Sequence, residues 1–379
     1  MAVTKLEDQA GGDITVKLAQ SNFSFAGFYP GWISIGLMLL AGCSTVPVHS
    51  TFYMPGINES NPGNLTWPSL PEVPRYVFIG HLYGESNTNG EASDEGVLAR
   101  VFAAIVGLGA KKKSTLDLVR PQQVSSDNNG RLFVTDPGRQ SIFVFDETLS
   151  EFDVWNETNL GTPLLSPIGV TYAEDSLWVT DSELSLVYQF NNNGDVINTF
   201  GQDVLKRPTG IAYDPLGRRL LVSDTAESNI KLFDISGKLI DIWGAFGTGD
   251  GELNRPTYLV YRQGILYVTD SLNARIQVFD DSGQFLQTVG QRGLYIGNFS
   301  RPKGIALDSD GNIYVSESYY DYVLVYNRQG ELLMSIGGSG TAPGQFAQPT
   351  GLWVDSRDRV FVSDMLNSRV SIFQYLGDN

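Results

Sequence analysis

Six segments of this chain share one pattern, in which an apolar run reaches a valine, then a hydroxyl residue and an acid. They are LFVTD (132–136), LWVTD (177–181), LLVSD (220–224), LYVTD (266–270), IYVSE (313–317) and VFVSD (360–364). Short runs rich in β-branched and aromatic residues that stop at a turn predict strands. Six copies of one strand indicate an internal repeat, and the repeat decides the fold.

The same neighbours recur around each copy. A short strand that opens on proline precedes every copy, with spacings of 46, 41, 48, 46 and 47 residues between Pro121, Pro167, Pro208, Pro256, Pro302 and Pro349. A third strand follows, such as IFVFD (142–146), and most units add a fourth, such as LIDIWG (239–244). Four short strands in a unit of about 45 residues predict one blade of a β-propeller, so the expected fold is all-β with six blades.

The sixth unit ends after its third strand, which would leave an edge open to pairing with another chain. The segment RYVFIG (75–80) lies before the first unit and has the apolar alternation of a fourth strand. We therefore expect this N-terminal strand to complete the sixth blade and close the ring by strand pairing instead of a disulfide.

Two stretches resemble repeats of the NHL family. GAFGTGDGELNRPTY (244–258) followed by YVTDSLNARIQVFD (267–280) is similar to the family's Gly-rich loop, opening proline and strand pair, and SIGGSGTAPGQFAQPTG (335–351) repeats the arrangement. The resemblance covers residues 76–373 and implies a six-bladed NHL propeller. The first two units depart from it, because their turns lack an Asn-x-Arg pair and their connecting loops lack the Gly run.

The N-terminal region has the pattern of a bacterial lipoprotein. WISIGLMLLAG (32–42) is too short to span a bilayer stably and suits a signal peptide. Leu40-Ala41-Gly42-Cys43 resembles the lipobox, whose cysteine is acylated, so we expect residues 1–42 to be the signal peptide and Cys43 the lipid anchor. Ser44 lacks the aspartate that, by resemblance to enteric lipoproteins, marks inner-membrane retention. The expected location is the cell envelope, at the outer membrane in preference to the inner.

The rest of the chain divides into a tether and a ring with one insertion. Residues 43–74 are rich in Pro, Asn, Ser and Gly and predict an extended tether, and residues 75–379 predict the propeller. The insertion at 85–119 predicts a helix over about residues 95–108, followed by three lysines at 111–113. We expect this helix to pack on the ring, with docking of a partner or of anionic headgroups as the alternative.

The acid at the end of each second strand is the first candidate for chemistry. The six acids are Asp136, Asp181, Asp224, Asp270, Glu317 and Asp364. In a propeller the second strand ends on the face where the first begins, so the acids are expected to encircle one mouth of the ring. Such a ring could hold Ca²⁺, the one cofactor that we consider. The alternative, which their identical placement favours, is that each carboxylate accepts backbone N–H bonds in its own turn.

Other polar residues repeat or stand alone. Asn273 and Arg275 in the fourth unit, and Asn367 and Arg369 in the sixth, follow the acid by three and five residues. We expect them to join the acid to the next turn, with direct ligand contact as the alternative. His81 follows the closing strand and is expected in a surface loop near the mouth.

Composition narrows the function. Besides His81 the chain has one other histidine, His49 in the tether, and one cysteine, which argues against acid–base or triad catalysis. Lys and Arg total 26 against 42 for Asp and Glu, and the net charge of −16 repels nucleic acid. We expect a monomeric, lipid-anchored binding scaffold for a protein, peptide or glycan. The alternative is a calcium-dependent hydrolase, lactonase or lyase that resembles six-bladed gluconolactonases, in which Ca²⁺ in the channel polarises a carbonyl.

Overall fold

The computed structural model shows an all-β protein, and the part of the chain that it describes covers residues 51–52, 65–89, 115–127 and 129–377. Its helical pieces are two 3-10 turns of three residues, Glu85–Asn87 and Met365–Asn367. The predicted six-bladed propeller is confirmed. Cys43, His49 and the helix expected over about residues 95–108 lie outside the described residues.

Each blade is an antiparallel meander, and its strands are numbered first to fourth from the channel outward. Blades 1 to 3 comprise, in this order, Val124–Ser126, Arg131–Asp136, Ser141–Asp146 and Glu151–Trp155; Pro167–Ala173, Ser176–Asp181, Leu186–Phe190 and Val196–Phe200; and Pro208–Asp214, Arg219–Asp224, Asn229–Asp234 and Leu239–Trp243. Blades 4 and 5 comprise Pro256–Arg262, Ile265–Asp270, Arg275–Phe279 and Phe285–Val289, and Pro302–Leu307, Ile313–Glu317, Tyr322–Tyr326 and Leu332–Gly337. The first three strands of blade 6 are Pro349–Val354, Arg359–Asp364 and Arg369–Tyr375.

The core lies in the seams between blades. The first strands of neighbouring blades contact each other around the ring, including those of blades 6 and 1, and enclose a central channel. Apolar side chains of facing sheets form one buried cluster in each of the six seams. Between blades 2 and 3, for example, Trp178, Leu220 and Phe233 are fully buried together. Each such side chain contributes roughly 1.5–3 kcal/mol when it leaves water, so six similar seams hold the ring.

The ring is closed as the sequence predicts. Tyr76–Leu82 pairs antiparallel with Arg369–Tyr375 and forms the fourth strand of blade 6. The hydroxyl of Tyr76 lies 2.9 Å from that of Tyr314 in blade 5, which donates a hydrogen bond of 2.7 Å to Asp308. The N-terminal strand therefore joins two blades by buried polar contacts in addition to its backbone pairing.

Part of the predicted tether belongs to the sheet. Thr66–Trp67 pairs with the closing strand as a fifth strand of blade 6. The Trp67 ring packs edge-on against Phe373, with 5.3 Å between ring centroids. The tether prediction for residues 43–74 therefore fails at these two residues, because an indole with an aromatic neighbour gains more from packing than from water. A separate two-stranded pair joins Thr51–Phe52 to Thr88–Asn89, so the tether prediction fails at Thr51–Phe52 as well.

The channel has two ends, which we name by their residues. At the proline end the first strands begin, at residues such as Pro208, and the second strands finish, at residues such as Asp224. At the tyrosine end the first strands finish, close to Tyr172, Tyr213 and Tyr261. Every blade presents the same two ends because all six run in the same direction.

Candidate functional site

The six acids of the second strands are buried beneath the proline end, with exposed fractions of 0–1%. The carboxylate of Asp181 accepts backbone N–H bonds from Leu165 at 2.8 Å and from Ser166 at 3.0 Å, immediately before the proline of its own blade. Equivalent bonds from the residues before the proline reach Asp136, Asp224, Asp270, Glu317 and Asp364. These contacts match the alternative that the identical placement of the acids favours, since backbone N–H groups occupy the carboxylates, and they give no support to the hypothesis that the acids face a ligand at the mouth.

These acids offer little to a metal ion. Within the described ranges no three His, Cys, Asp or Glu side chains converge as a metal site requires. Burial raises the pKa of Asp136 and of Asp364, against the effect of their hydrogen bonds. Burial also acts to raise the pKa of Asp224, but the ammonium of Lys231, 2.7 Å away, and the backbone N–H groups hold this pKa below its usual range. Calcium would have to displace these donors.

The Asn and Arg residues that follow the acid bind it directly. Asn273 Nδ2 and Arg275 Nε each donate to one carboxylate oxygen of Asp270 at 2.8 Å. Asn273 also donates to the carbonyl of Gly247, and Arg275 to that of Gly249, in the Gly-rich loop. Asn367 and Arg369 make the corresponding bonds to Asp364 in blade 6. In both blades the structure joins these side chains to the acid and its loop.

His81 lies away from the channel, on the fourth strand of blade 6. Its Nδ1 is 3.1 Å from the Ser371 hydroxyl, and Arg369 Nη1 is 3.1 Å from its Nε2. Burial and the charge of Arg369 lower the pKa of His81 to about 4. The prediction of a loop position near the mouth is wrong, because the closing strand extends through Leu82 and carries His81 into the outer part of the sheet.

A cavity of about 510 Å³ opens at the proline end of the channel. The residue directly after the opening proline lines it in all six blades: Gln122, Ile168, Thr209, Thr257, Lys303 and Thr350. The residue after the acid lines it in four blades, and these are Ser182, Ser271, Ser318 and Met365. The repeat thus places fixed positions of each unit around one opening, and the residue types at those positions set its chemistry.

Three cations are the charged groups of this lining, namely Arg207, Arg301 and Lys303. In the described structure their side-chain nitrogens make neither an ion pair nor a hydrogen bond, although the Arg301 guanidinium lies 6.0 Å from the ring centre of Tyr319. Burial of the Lys303 side chain, together with the charges of Arg301 and Arg207, lowers the pKa of its ammonium. Each of the two guanidinium groups is therefore close enough to Lys303 to repel its ammonium.

Tyr258 separates the two ends of the channel. Four blades have glycine at this position, where a Cβ would collide with the neighbouring blade; on Gly169 it would lie 2.1 Å from the carbonyl oxygen of Thr209. Tyr258 is instead buried and crosses the ring from blade 4 to blade 1, where its hydroxyl donates to the backbone and side-chain oxygens of Gln122 at 3.3 Å. Burial raises its pKa. The proline-end cavity is consequently a blind pocket.

The tyrosine end has a smaller cavity of about 310 Å³ with an apolar and aromatic lining. Several of its polar atoms bond within the protein: the Tyr172 hydroxyl donates to Asn192 at 3.0 Å, and Trp353 Nε1 donates to Ser126 at 3.0 Å. Arg262 donates to the backbone oxygen of Leu307. This end therefore presents mainly ring faces and aliphatic surface, although Gln123 Oε1 is buried there without a hydrogen-bond partner.

The repeat contained a signal for this site that the sequence analysis missed. Thr209, Thr257 and Thr350 occupy the position that Lys303 takes in blade 5, and glycine is usual where blade 4 has Tyr258. Both departures are visible once the six units are aligned on their prolines. The residues that the units share form the strands and turns, whereas Lys303 and Tyr258 are positions in which the units differ.

Comparisons with known proteins agree on the architecture. A family model described as a 6-bladed beta-propeller matches residues 305–377. Similar solved structures include an auxiliary nutrient binding protein from Bacteroides thetaiotaomicron (TM-score 0.54, 14% identity, 69% of this chain and 70% of that chain). They also include a streptogramin B lyase (0.52, 13%, 68% and 94%) and a virginiamycin B lyase from Staphylococcus aureus (0.50, 15%, 68% and 96%).

At these identities the similarity shows the fold alone. No curated protein sequence matches the chain. In the part of the chain that the structure describes, we find no helix with the length and apolar character that a membrane crossing needs. The chemistry of this protein must therefore be argued from its own channel.

Proposed function

We propose that this chain is a binding protein of the NHL-propeller type and that its ligand occupies the cavity at the proline end. The observation that carries the proposal is a cavity of about 510 Å³ whose cations have no partner in the described structure. A ligand site requires a concave opening lined by polar side chains that are not already bonded within the protein.

The lining supports binding in preference to catalysis. Described residues at both ends of the channel supply hydroxyl, amide, guanidinium, ammonium and aromatic groups, and Asp, Glu and His are absent from these linings. General acid–base chemistry near neutral pH depends mostly on those three residue types. The printed names of the similar structures include both a nutrient binding protein and lyases, and the lining of this channel favours the former kind of role.

We further propose that the protein acts at the bacterial cell envelope, anchored through a lipid on Cys43, with the outer membrane as the favoured location. The lipobox pattern supports this placement. Cells that produce the full chain should incorporate labelled palmitate into it, and Cys43→Ser should abolish the label. Undiminished labelling of the variant would refute lipid anchoring and leave the channel proposal intact.

Native mass spectrometry of the full chain, isolated from the cells that produce it, tests the binding site without knowledge of the ligand. Met365 lines the cavity, whereas the next residue, Leu366, is 55% exposed. We expect a bound small molecule on the original protein and on Leu366→Trp, and its loss from Met365→Trp, where the indole fills the opening. Equal retention by both variants, or the absence of any bound mass, would refute the proposal.

Calcium distinguishes the alternative function. A calcium-dependent hydrolase or lyase should melt at a higher temperature in saturating Ca²⁺, because an ion that binds the folded state stabilises it. We expect no change in melting temperature, with Mg²⁺ at equal ionic strength as the control. A saturable rise that is specific for Ca²⁺ would favour the enzyme.

A further inference from the structure

We propose that the proline-end cavity binds a small molecule through an anionic oxygen group, a carboxylate or a phosphate, held by Arg207, Arg301 and Lys303. This inference rests on the proposed function and names the class of ligand that the site takes. It follows from charge and geometry at one end of the channel.

The first argument is that several cations at this end are already bonded within the protein, whereas those of the cavity are not. Arg275 bonds Asp270, Arg369 bonds Asp364, and Lys231 bonds both Asp224 and Glu227 at 2.7 and 2.6 Å. Even Arg255, which precedes the opening proline of blade 4, donates to backbone carbonyls. Arg120 and Lys206 also make no side-chain bond in the described structure, but Arg207, Arg301 and Lys303 are the cations that line this one cavity.

The second argument concerns the acid of blade 5. Glu317 lies on the same blade as Arg301 and Lys303, but its two oxygens accept N–H bonds from Ser300 and Arg301 at 2.8 and 2.9 Å. The carboxylate is buried, with 1% exposure, and serves the opening turn. Its charge offsets part of that of Arg301, but Glu317 does not form an ion pair with any cavity cation.

The third argument is energetic. Lys303 is half-buried beside two guanidinium groups, so the folded protein pays both desolvation and like-charge repulsion to keep it there. Threonine at this position in three other blades shows that the repeat accommodates a neutral side chain. An anion in the cavity would relieve this cost, and charge-assisted hydrogen bonds to guanidinium and ammonium are the strong ones.

The shape of the cavity limits the ligand to a small molecule. Tyr258 closes the channel below it, so a polymer cannot thread through the ring. Hydroxyl groups surround the cations; those of Thr257 and Ser271 are 2.8 Å apart. An anionic head with polar substituents fits such a lining better than an apolar tail does.

The experiment is calorimetric titration of the full chain at constant ionic strength with three probes: inorganic phosphate, glucuronate as the carboxylate, and glucose as the neutral control. Lys303→Thr and Arg301→Gln copy residues found at the equivalent positions of other blades, which protects the fold. Arg255→Gln is the matched control, because Arg255 has the same place in its blade but lies outside the cavity lining.

We expect phosphate or glucuronate to bind and glucose not to bind. Lys303→Thr and Arg301→Gln should each lower the affinity for the bound probe at least about tenfold. Arg255→Gln should leave this affinity unchanged. The bound probe identifies whether the site prefers phosphate or carboxylate. Without probe, Lys303→Thr should melt about 1–3 °C higher, because the repulsion is gone.

Three results would overturn the inference: no binding of either anion, equal weakening by Arg255→Gln, or a lower melting temperature for Lys303→Thr. If neither phosphate nor glucuronate binds, while Met365→Trp lacks a natural ligand that the original protein carries, the cavity binds a neutral molecule. In that case the proposed function stands and the anionic class is wrong.

Discussion

The two ends of the channel are built from the same six strands but offer a ligand different chemistry. At the proline end Arg207, Arg301 and Lys303 face a polar cavity without partners in the described structure. At the tyrosine end the lining is aromatic and aliphatic, and the hydroxyl of Tyr172 is already bonded to Asn192. The difference teaches that one repeated unit can present two chemistries to the channel, because the residue types at the two strand ends differ.

The distribution of acids sharpens this contrast. At the tyrosine end acids begin the tight turns and accept backbone N–H bonds within them, as at Asp127, Asp146, Asp214, Asp234, Asp280, Asp308 and Asp355. Asp127, Asp214 and Asp355 also pair with arginines, and six further acids are buried beneath the proline end. A protein of net charge −16 can still present a cationic pocket at the proline end, because backbone N–H groups and neighbouring cations bind the acids that are buried there.

The largest effect should come from removing the side chain that divides the channel. Tyr258→Ala deletes a buried ring and joins the two cavities, which should cost about 3–5 kcal/mol of the free energy of unfolding in denaturant titration. Tyr258→Phe keeps the ring and loses the bonds to Gln122, so it should cost about 0.5–1.5 kcal/mol. Equal losses would mean that the hydroxyl, and not the filled volume, holds the ring.

The next effect compares one acid from each end. Asp181→Asn should cost about 2–4 kcal/mol of unfolding free energy. The side-chain NH2 of the new asparagine is a donor, and it would face backbone N–H donors that the carboxylate now accepts. The same change at Asp280 should leave the denaturation midpoint nearly unchanged, since an asparagine oxygen still accepts the bonds of that turn. Similar midpoints for the two variants would contradict the structural role of the six acids at the ends of the second strands.

A smaller effect should appear in the pH dependence of melting. The pKa of His81 is lowered to about 4 from its ordinary 6.5, so the unfolded chain takes up a proton that the folded chain resists. Its contribution to stability is complete above pH 6.5 and is lost as the pH falls toward 4.

His81→Gln should therefore flatten the decline in melting temperature between pH 6.5 and 4. Carboxylates supply the slope that remains in the variant. Identical slopes for both proteins would show that the imidazole next to Arg369 already carries a proton in the folded state.

The smallest effect should be an arginine substitution at the tyrosine end. Arg218 pairs with Glu174 at 2.9 Å on the surface, and such pairs contribute little to stability. Arg218→Gln should leave both the melting temperature and the affinity for the anionic probes unchanged. Because Arg301→Gln removes the same charge, a loss of affinity in both variants would indicate a general field effect instead of a local site.

Most of the fold follows from the sequence because each unit repeats its local signals. The opening prolines and the acids of the second strands mark the blades, and RYVFIG (75–80) supplies the missing strand as predicted. The places of Thr66–Trp67 and His81 did not follow. Thr66–Trp67 pairs with the nearby closing strand, but the packing of Trp67 depends on Phe373, and the place of His81 depends on Ser371, 290 residues away. Local pattern does not contain contacts of that separation.

The sequence by itself determined that this chain is a closed ring of six four-stranded blades, because periodic strands and turns act locally and repeat. It also marked Cys43 as the candidate anchor, from a local motif. The tertiary structure alone decided that the six acids are buried and bonded to backbone N–H groups of their turns. It also decided that Lys303 lines the same cavity as Arg207 and Arg301. Arg207 belongs to blade 3, whereas Arg301 and Lys303 belong to blade 5, and only closure of the ring places all three around one cavity.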